Sequence, residues 1–209
     1  IYKSFKIKNF KGIDEVEIDL VNSRIVTLVG LNESGKTSIM EGMHLFYQMI
    51  KGENLTTEQL NELRPKGIAF TGIIEISATL LLEDYDKKKI EKYWKNTLNK
   101  RNALEFPAEF TYDYRFVFYL HTYKETKRTC TFFVKTKNSK RGLSETDNTN
   151  WQRLIAHVRS DIVPEILYYD DFIFQIPEKV CFAKIGVVET ADVSNSNNKT
   201  WQLVINDVL

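Results

Sequence analysis

Gly30-Leu31-Asn32-Glu33-Ser34-Gly35-Lys36-Thr37 decides how this chain is read. It fits the spacing G-x-x-x-x-G-K-[ST], and a chance match in a chain this long has a probability of roughly 1% or less. Before it stands Ile25-Val26-Thr27-Leu28-Val29, a nearly continuous apolar run that predicts a strand buried on both faces. After it Ile39, Met43 and Phe46 recur at helical spacing, with Met40 and Tyr47 flanking the stripe, which predicts an amphipathic helix. Strand, glycine-containing loop and helix, in that order, are the context that a phosphate-binding loop requires. Gly30 and Gly35 let the backbone wrap closely, with no Cβ to hold a phosphate off. Backbone N–H groups from Asn32, Glu33 and Ser34 through Ser38 converge on a β-phosphate at a helix N-terminus, where the macrodipole adds a favourable field. Lys36 brings a point charge to the β- and γ-phosphates, and the Thr37 hydroxyl offers Mg²⁺ a hard oxygen.

Outward from the loop, the chain predicts an α/β fold. Phe5 and Ile7 alternate with Lys6 and Lys8, Lys11-Gly12 makes a turn, and Val16, Ile18 and Leu20 alternate with Glu15, Glu17 and Asp19, the pattern of an antiparallel hairpin with one wet face. Residues 51–72 read as a loop with a short helix near Thr56–Leu63. Ile74, Ile76, Ala78, Leu80 and Leu82 predict a long strand, and residues 86–101 a basic amphipathic helix on the stripe Ile90, Trp94, Leu98. Phe110, Tyr112, Tyr114, Phe116, Phe118 and Leu120 fall on one face of a second long strand. A third is expected over Thr129–Lys135, with the polar turn Lys124–Lys127 between them. Residues 137–150 read as a polar loop, Trp151–Val158 as a short helix and Ile166–Tyr169 as a buried strand. Ser194–Asn198 reads as a linker and Trp201–Leu209 as the start of a helix.

The composition excludes several classes. A chain of 209 residues, 43% apolar and 27% charged, is ordinary for a soluble globular protein and wrong for a disordered one. Its net charge of +1 provides no global field toward nucleic acid, so any DNA contact has to come from a local patch. No apolar run approaches the ~20 residues of a membrane span, and the amino terminus lacks a signal-peptide core. Cys130 and Cys181 form no Cys-x-x-Cys pair, which fits a reducing compartment; the expectation is a cytoplasmic protein without membrane contact. A GTPase would need Asn-Lys-x-Asp, and Asn99-Lys100-Arg101-Asn102 lacks the acid that reads guanine. A small-molecule kinase would bring an Arg-rich lid and no hairpin before its loop. His44, His121 and His157 are scattered without a partner at ligand spacing, which argues against a transition-metal site.

Ile7-Lys8-Asn9-Phe10-Lys11-Gly12, followed by a hairpin, a buried strand and Gly30–Ser38, resembles the amino-terminal half of RecF/SMC-type ABC ATPase heads. Within that clan the chain looks most like the OLD family and related anti-phage defence ATPases. The resemblance is strong over residues 3–50 and weaker over Val163–Phe172. It implies a P-loop NTPase of ABC-ATPase-head type, with a mixed sheet around the P-loop strand and an antiparallel β subdomain. Residues 1–209 would be the amino-terminal part of one head: 1–50 the hairpin, P-loop strand and helix; 72–136 the antiparallel strands with the basic helix; 150–209 a return to the core, there cut off.

The resemblance further implies ATP and Mg²⁺ as ligands, Lys36 as the catalytic cation, Thr37 on the metal, and Lys11 near the nucleotide. It implies ATP sandwiched between two heads, in a homodimer or higher oligomer, and an effector nuclease of Toprim type as a fused domain or separate subunit. No Ser-Gly-Gly signature stands in the chain. Ile166-Leu167-Tyr168-Tyr169-Asp170-Asp171 imitates a Walker B strand, while the family order favours a strand leading to the Q-loop region, where Asp170, Asp171 or Gln175 would touch Mg²⁺ or its water, or the acid pair would simply end the strand. Lys88, Lys92 and Lys95 in the basic stretch 87–101 offer a DNA-binding face or an ordinary solvated one. Two functions follow as expectations: an ATPase head that gates an effector in DNA-linked anti-phage defence, or an ATP-bound scaffold that hardly turns over.

Overall fold

A computed structural model describes residues 1–21, 25–32, 34–65, 69–136 and 149–168. The period-two alternation of the amino terminus gives β1 (Tyr2–Phe10) and β2 (Ile13–Asp19), joined through Lys11-Gly12 and paired antiparallel with Ile7 opposite Val16 and Phe5 opposite Ile18. α1 (Lys36–Lys51) follows the glycine loop, and α2 (Thr57–Asn61) is held by a reciprocal cap between Thr56 and Gln59. Then come β3 (Gly72–Leu81), α3 (Asp84–Asn96), β4 (Leu104–Glu105), β5 (Glu109–Tyr119), β6 (Thr122–Cys130), β7 (Lys135–Thr136) and α4 (Thr149–His157), which runs into a π-helical turn, Val158–Ile162. Five strands form one antiparallel sheet in the order β2-β1-β3-β5-β6, and β4 pairs with β7. The amino-terminal hairpin and the later antiparallel strands therefore share one sheet, through the β1–β3 ladder.

Alternation splits that sheet into a dry and a wet face. Phe5 and Ile7, Ile74 to Leu80 in steps of two, and Phe110 to Phe118 in steps of two all point into the core. The wet face carries Lys6 and Lys8 on Glu15, and Arg115 between Glu75 and Asp113, pairs worth little individually but enough to keep that face solvated. α1 covers part of the dry face, while Phe132 with Trp151 of α4 covers Phe110 and Phe70 covers Phe118. The buried side of α1 is Gly42, Leu45, Phe46 and Ile50, so the stripe is rotated from the expected one: Ile39, Met43 and Tyr47 lie at its margin and Met40 is exposed. The rotation follows from close approach at Gly42, where a Cβ would sit 2.8 Å from Ile7 Cδ1. Phe46 meets Phe5 and Tyr114 edge-on, with centroids at 5.4 and 5.8 Å. Burying side chains such as Leu45, Phe46 and Ile50 stabilises by about 1.5–3 kcal/mol each.

Four expectations are corrected. Residues 25–29 carry no strand and are largely exposed, with Ile25 at 80% and Val29 at 89%. A strand buried on both faces needs a neighbour on each edge and cover above and below; among the described residues the sheet β2-β1-β3-β5-β6 does not include 25–29. The hairpin after β5 turns at Leu120-His121, not at 124–127, and the polar run 122–130 is itself β6, while Phe132 and Val134 are buried outside any strand. Leu120 (φ 44°) and His121 (φ 63°) both adopt the left-handed conformation of a tight primed turn, braced by Phe70 O on the His121 N–H and Thr71 Oγ1 on the Leu120 N–H. The basic helix spans Asp84–Asn96 and ends short of 101, because Asn99 turns left-handed (φ 52°) and lets Leu98 fold into the core. Residues 166–168 form no strand and Leu167 is exposed; the segment before them is held by a side-chain bond, Tyr2 Oη to Pro164 O at 3.0 Å. The expected loop over 137–148, Tyr169 to Gln175, the linker 194–198 and the final helix lie outside the described residues.

Candidate phosphate-binding site

Gly35 sets the geometry. Its φ of +89° is left-handed, a conformation that a side chain disfavours, and it turns the chain straight into α1. The helical ladder opens with Ile39 N–H on Gly35 O at 3.0 Å, which leaves the amides of Lys36, Thr37 and Ser38 without an intrahelical acceptor. These amides, with the positive end of the helix dipole, suit an anion. Lys36 folds back over its own loop: Nζ donates to Gly30 O (2.9 Å), Leu31 O (2.6 Å) and Ser34 Oγ (3.3 Å). The ammonium thus stands over the loop in neutral company, available to a stronger acceptor.

In front lies a cavity of about 590 Å³ lined by Lys11, Gly12, Gly35, Lys36, Thr37, Ser38 and Glu41. Lys11 arrives from the β1–β2 turn with its backbone fixed by a left-handed φ of 50° and by its N–H on Leu63 O at 3.0 Å. Asn9 does not face the cavity; its Nδ2 donates to Ile73 O at 2.9 Å and braces the same turn. Lys11 Nζ is paired with Glu41 Oε2 at 2.7 Å.

The structure therefore brings Lys11, Gly35, Lys36, Thr37 and Ser38 to one cavity, with Gly30 and Ser34 joined to it through Lys36. Asn32 lies exposed on the loop, and Glu33, Asp170, Asp171 and Gln175 lie outside the described residues. Glu41 escaped the sequence reading. Its position four residues after Thr37 puts both on one helical face, a signal that the apolar stripe of the helix does not carry. Among the described residues no group of three or more His, Cys, Asp or Glu could hold a metal ion. The donor set at the cavity fits Mg²⁺ only as a companion of phosphate oxygens, with Thr37 as the protein's hard ligand and water completing the shell.

The basic helix α3 is less cationic than its lysines suggest. Three acids stand among its five lysines, Lys87 pairs with Asp84 at 3.2 Å, Lys95 with Glu91 at 3.4 Å, and Lys89 lies 4.7 Å over the Tyr85 ring. Lys88, Lys92 and Lys95 are exposed on the face away from Ile90 and Trp94. The aromatic face of β5 is core, buried from Phe110 through Phe118. No described helix is long and apolar enough to cross a membrane.

The model of one protein family, described as the AAA ATPase domain, matches residues 2–198. No curated protein matches the chain at a significant level.

Proposed function

Because the chain belongs to the AAA ATPase domain family, we propose that it binds Mg·ATP with the triphosphate in the cavity before α1 and hydrolyses it as an ABC-type head of the RecF/SMC/OLD kind. One observation carries the proposal: Lys36, Thr37, Ser38 and the left-handed Gly35 line the same cavity as Lys11, so two cations and a helix N-terminus face one volume large enough for phosphates. The amides of Lys36 to Ser38 hold the β-phosphate, and Lys36 exchanges its loop carbonyls for β- and γ-phosphate oxygens. Thr37 would hold Mg²⁺ on the protein side, and the ion would supply charge neutralisation for those oxygens. Lys36 stabilises the charge that develops on the transferring phosphoryl group, the term that dominates in loop-based NTPases. Catalysis is further proposed to need a second head, with its signature segment and a catalytic acid, and to gate an effector nuclease; contact with DNA through Lys88, Lys92 and Lys95 and a role in anti-phage defence belong to the same reading and rest on the family resemblance.

A second reading has its own support. Among the described residues Glu41 is the one carboxylate lining the cavity, and it is tied to Lys11 rather than placed to activate water. ATP would then act as an assembly switch with little turnover. Phosphate release by the full-length protein, with and without DNA, separates the two. Turnover that disappears in Lys36→Ala supports the ATPase; tight Mg·ATP binding with no turnover under either condition supports the switch and contradicts hydrolysis.

A further inference from the structure

We propose that Glu41 is a positioning residue of the phosphate cavity, an electrostatic latch that holds the Lys11 ammonium until nucleotide phosphate takes it over. The inference rests on the cavity before α1 being the ATP-phosphate site. Lys11 is fixed at its backbone, between the strained turn and Leu63 O, so only its side chain is free to change partner. That side chain is about one-quarter exposed and Glu41 about one-third, their contact is 2.7 Å, and the Phe10 ring lies 5.7 Å from Nζ. The two cations of the cavity are thus held differently. Lys36 sits on two carbonyls and a hydroxyl, all neutral acceptors that a phosphate outcompetes. Lys11 sits on a full carboxylate, and that carboxylate also repels an incoming phosphate because Glu41 shares the helical face of Thr37 and Ser38.

The surroundings provide for the released carboxylate. Lys11 and Glu41 form a common wall between the phosphate cavity and a smaller one of about 180 Å³, lined also by His44, Gln48, Leu63 and Tyr168. His44 lies three residues after Glu41 and stacks on Tyr168 at 4.9 Å, and its Nδ1 is buried with no hydrogen-bond partner among the described residues. Once Lys11 turns to phosphate, Glu41 shares the smaller cavity with an imidazole nitrogen, three residues along α1, that lacks a partner among the described residues. The latch would set nucleotide affinity below what two lysines and a helix N-terminus give, and would report occupancy to Leu55, Gln59, Glu62 and Leu63, which also line the smaller cavity.

Calorimetric titration of Mg·ATP into the full chain tests this with Glu41→Gln, Glu41→Ala and Lys36→Ala, each checked for an intact thermal transition. Both Glu41 variants are expected to bind about three- to tenfold more tightly than the parent. That gain is expected to shrink as NaCl rises from about 50 to about 300 mM, because screening weakens a charge effect. Unchanged or weaker binding in both variants, with binding abolished by Lys36→Ala, overturns the latch while leaving the site in place. A gain indifferent to salt also overturns it, since altered packing rather than charge would then be responsible. Full affinity in Lys36→Ala overturns the site assignment, and the latch with it.

Discussion

Gly35 and Asp113 show how much a single position can fix. At φ +89° Gly35 is, among the described residues of the loop, the one whose backbone demands glycine, and the three amides that open α1 beside the cavity depend on that turn. Alanine there costs about 1 kcal/mol of left-handed strain. Gly35→Ala is expected to lower the melting temperature by about 2–4 °C and to weaken Mg·ATP binding by far more than that strain implies, since the amides are re-aimed; parallel melts and titrations check both. Asp113 is a different case. It lies buried on the wet face beside Arg115, at 2.7 Å, with Oδ1 lacking a hydrogen-bond partner among the described residues. Burial, and then the neighbouring Glu75 charge, raise its pKa above the ordinary carboxylate value, against the pull of Arg115. A raised acid binds its proton more tightly in the folded state, so it lowers stability as pH rises through the folded pKa and costs nothing below the unfolded one. Asp113→Asn is expected to raise the melting temperature on the order of 1 °C at neutral pH, a gain that fades as pH falls toward the ordinary carboxyl range; a gain that grows with acidification would contradict the assignment.

The hairpin β5–β6 and the run before the loop mark where elements could and could not be read from the chain. Leu120 and His121 have no turn signature, since tight primed turns favour Asn-Gly, and Leu120 even continues the apolar alternation of β5. What makes the turn there is tertiary: Phe70 O, Thr71 Oγ1 and Arg64 Nη1 all bond to its backbone. Asn tolerates left-handed φ better than Leu, and Leu120 is exposed, so Leu120→Asn is expected to stabilise by up to about 1 kcal/mol, read as a higher midpoint in urea. β1, β2, β3 and β5 were legible because each alternates against one dry face. The run 25–29 is the opposite case: it is nearly continuously apolar and carries no alternation, so its pattern alone does not decide whether a strand forms there. The same limit applies at the site. Spacing alone located Gly35, Lys36 and Thr37, whereas the Lys11–Glu41 pair bridges thirty residues of sequence and a charged residue on a helix ordinarily means a wet face. Gly42 was equally silent, although it sets how closely α1 approaches β1. Gly42→Val is expected to push α1 off Ile7 and cost about 1–3 kcal/mol.

The described part of the chain up to Tyr168 is one compact unit, and its architecture explains why the cavity holds its shape. The sheet fixes β1, and β1 fixes both the Lys11 turn and, through Ile7 and Gly42, the axis of α1. α1 in turn carries Lys36, Thr37, Ser38 and Glu41 on rigid backbone, so the lysine from the hairpin and the lysine from the loop meet across a gap that neither element sets alone. Family membership supplies the expectation of ATP, and this shared scaffold shapes the cavity proposed for its phosphates. The most direct test of that claim is to follow backbone amide resonances of the isotopically labelled protein while Mg·ATP is added. The account predicts that the largest shifts fall on Gly35, Lys36, Thr37, Ser38 and Lys11, and that Lys36→Ala removes them. Shifts centred on α3 or on the wet face of the sheet, with Gly35 to Ser38 unmoved, would contradict it.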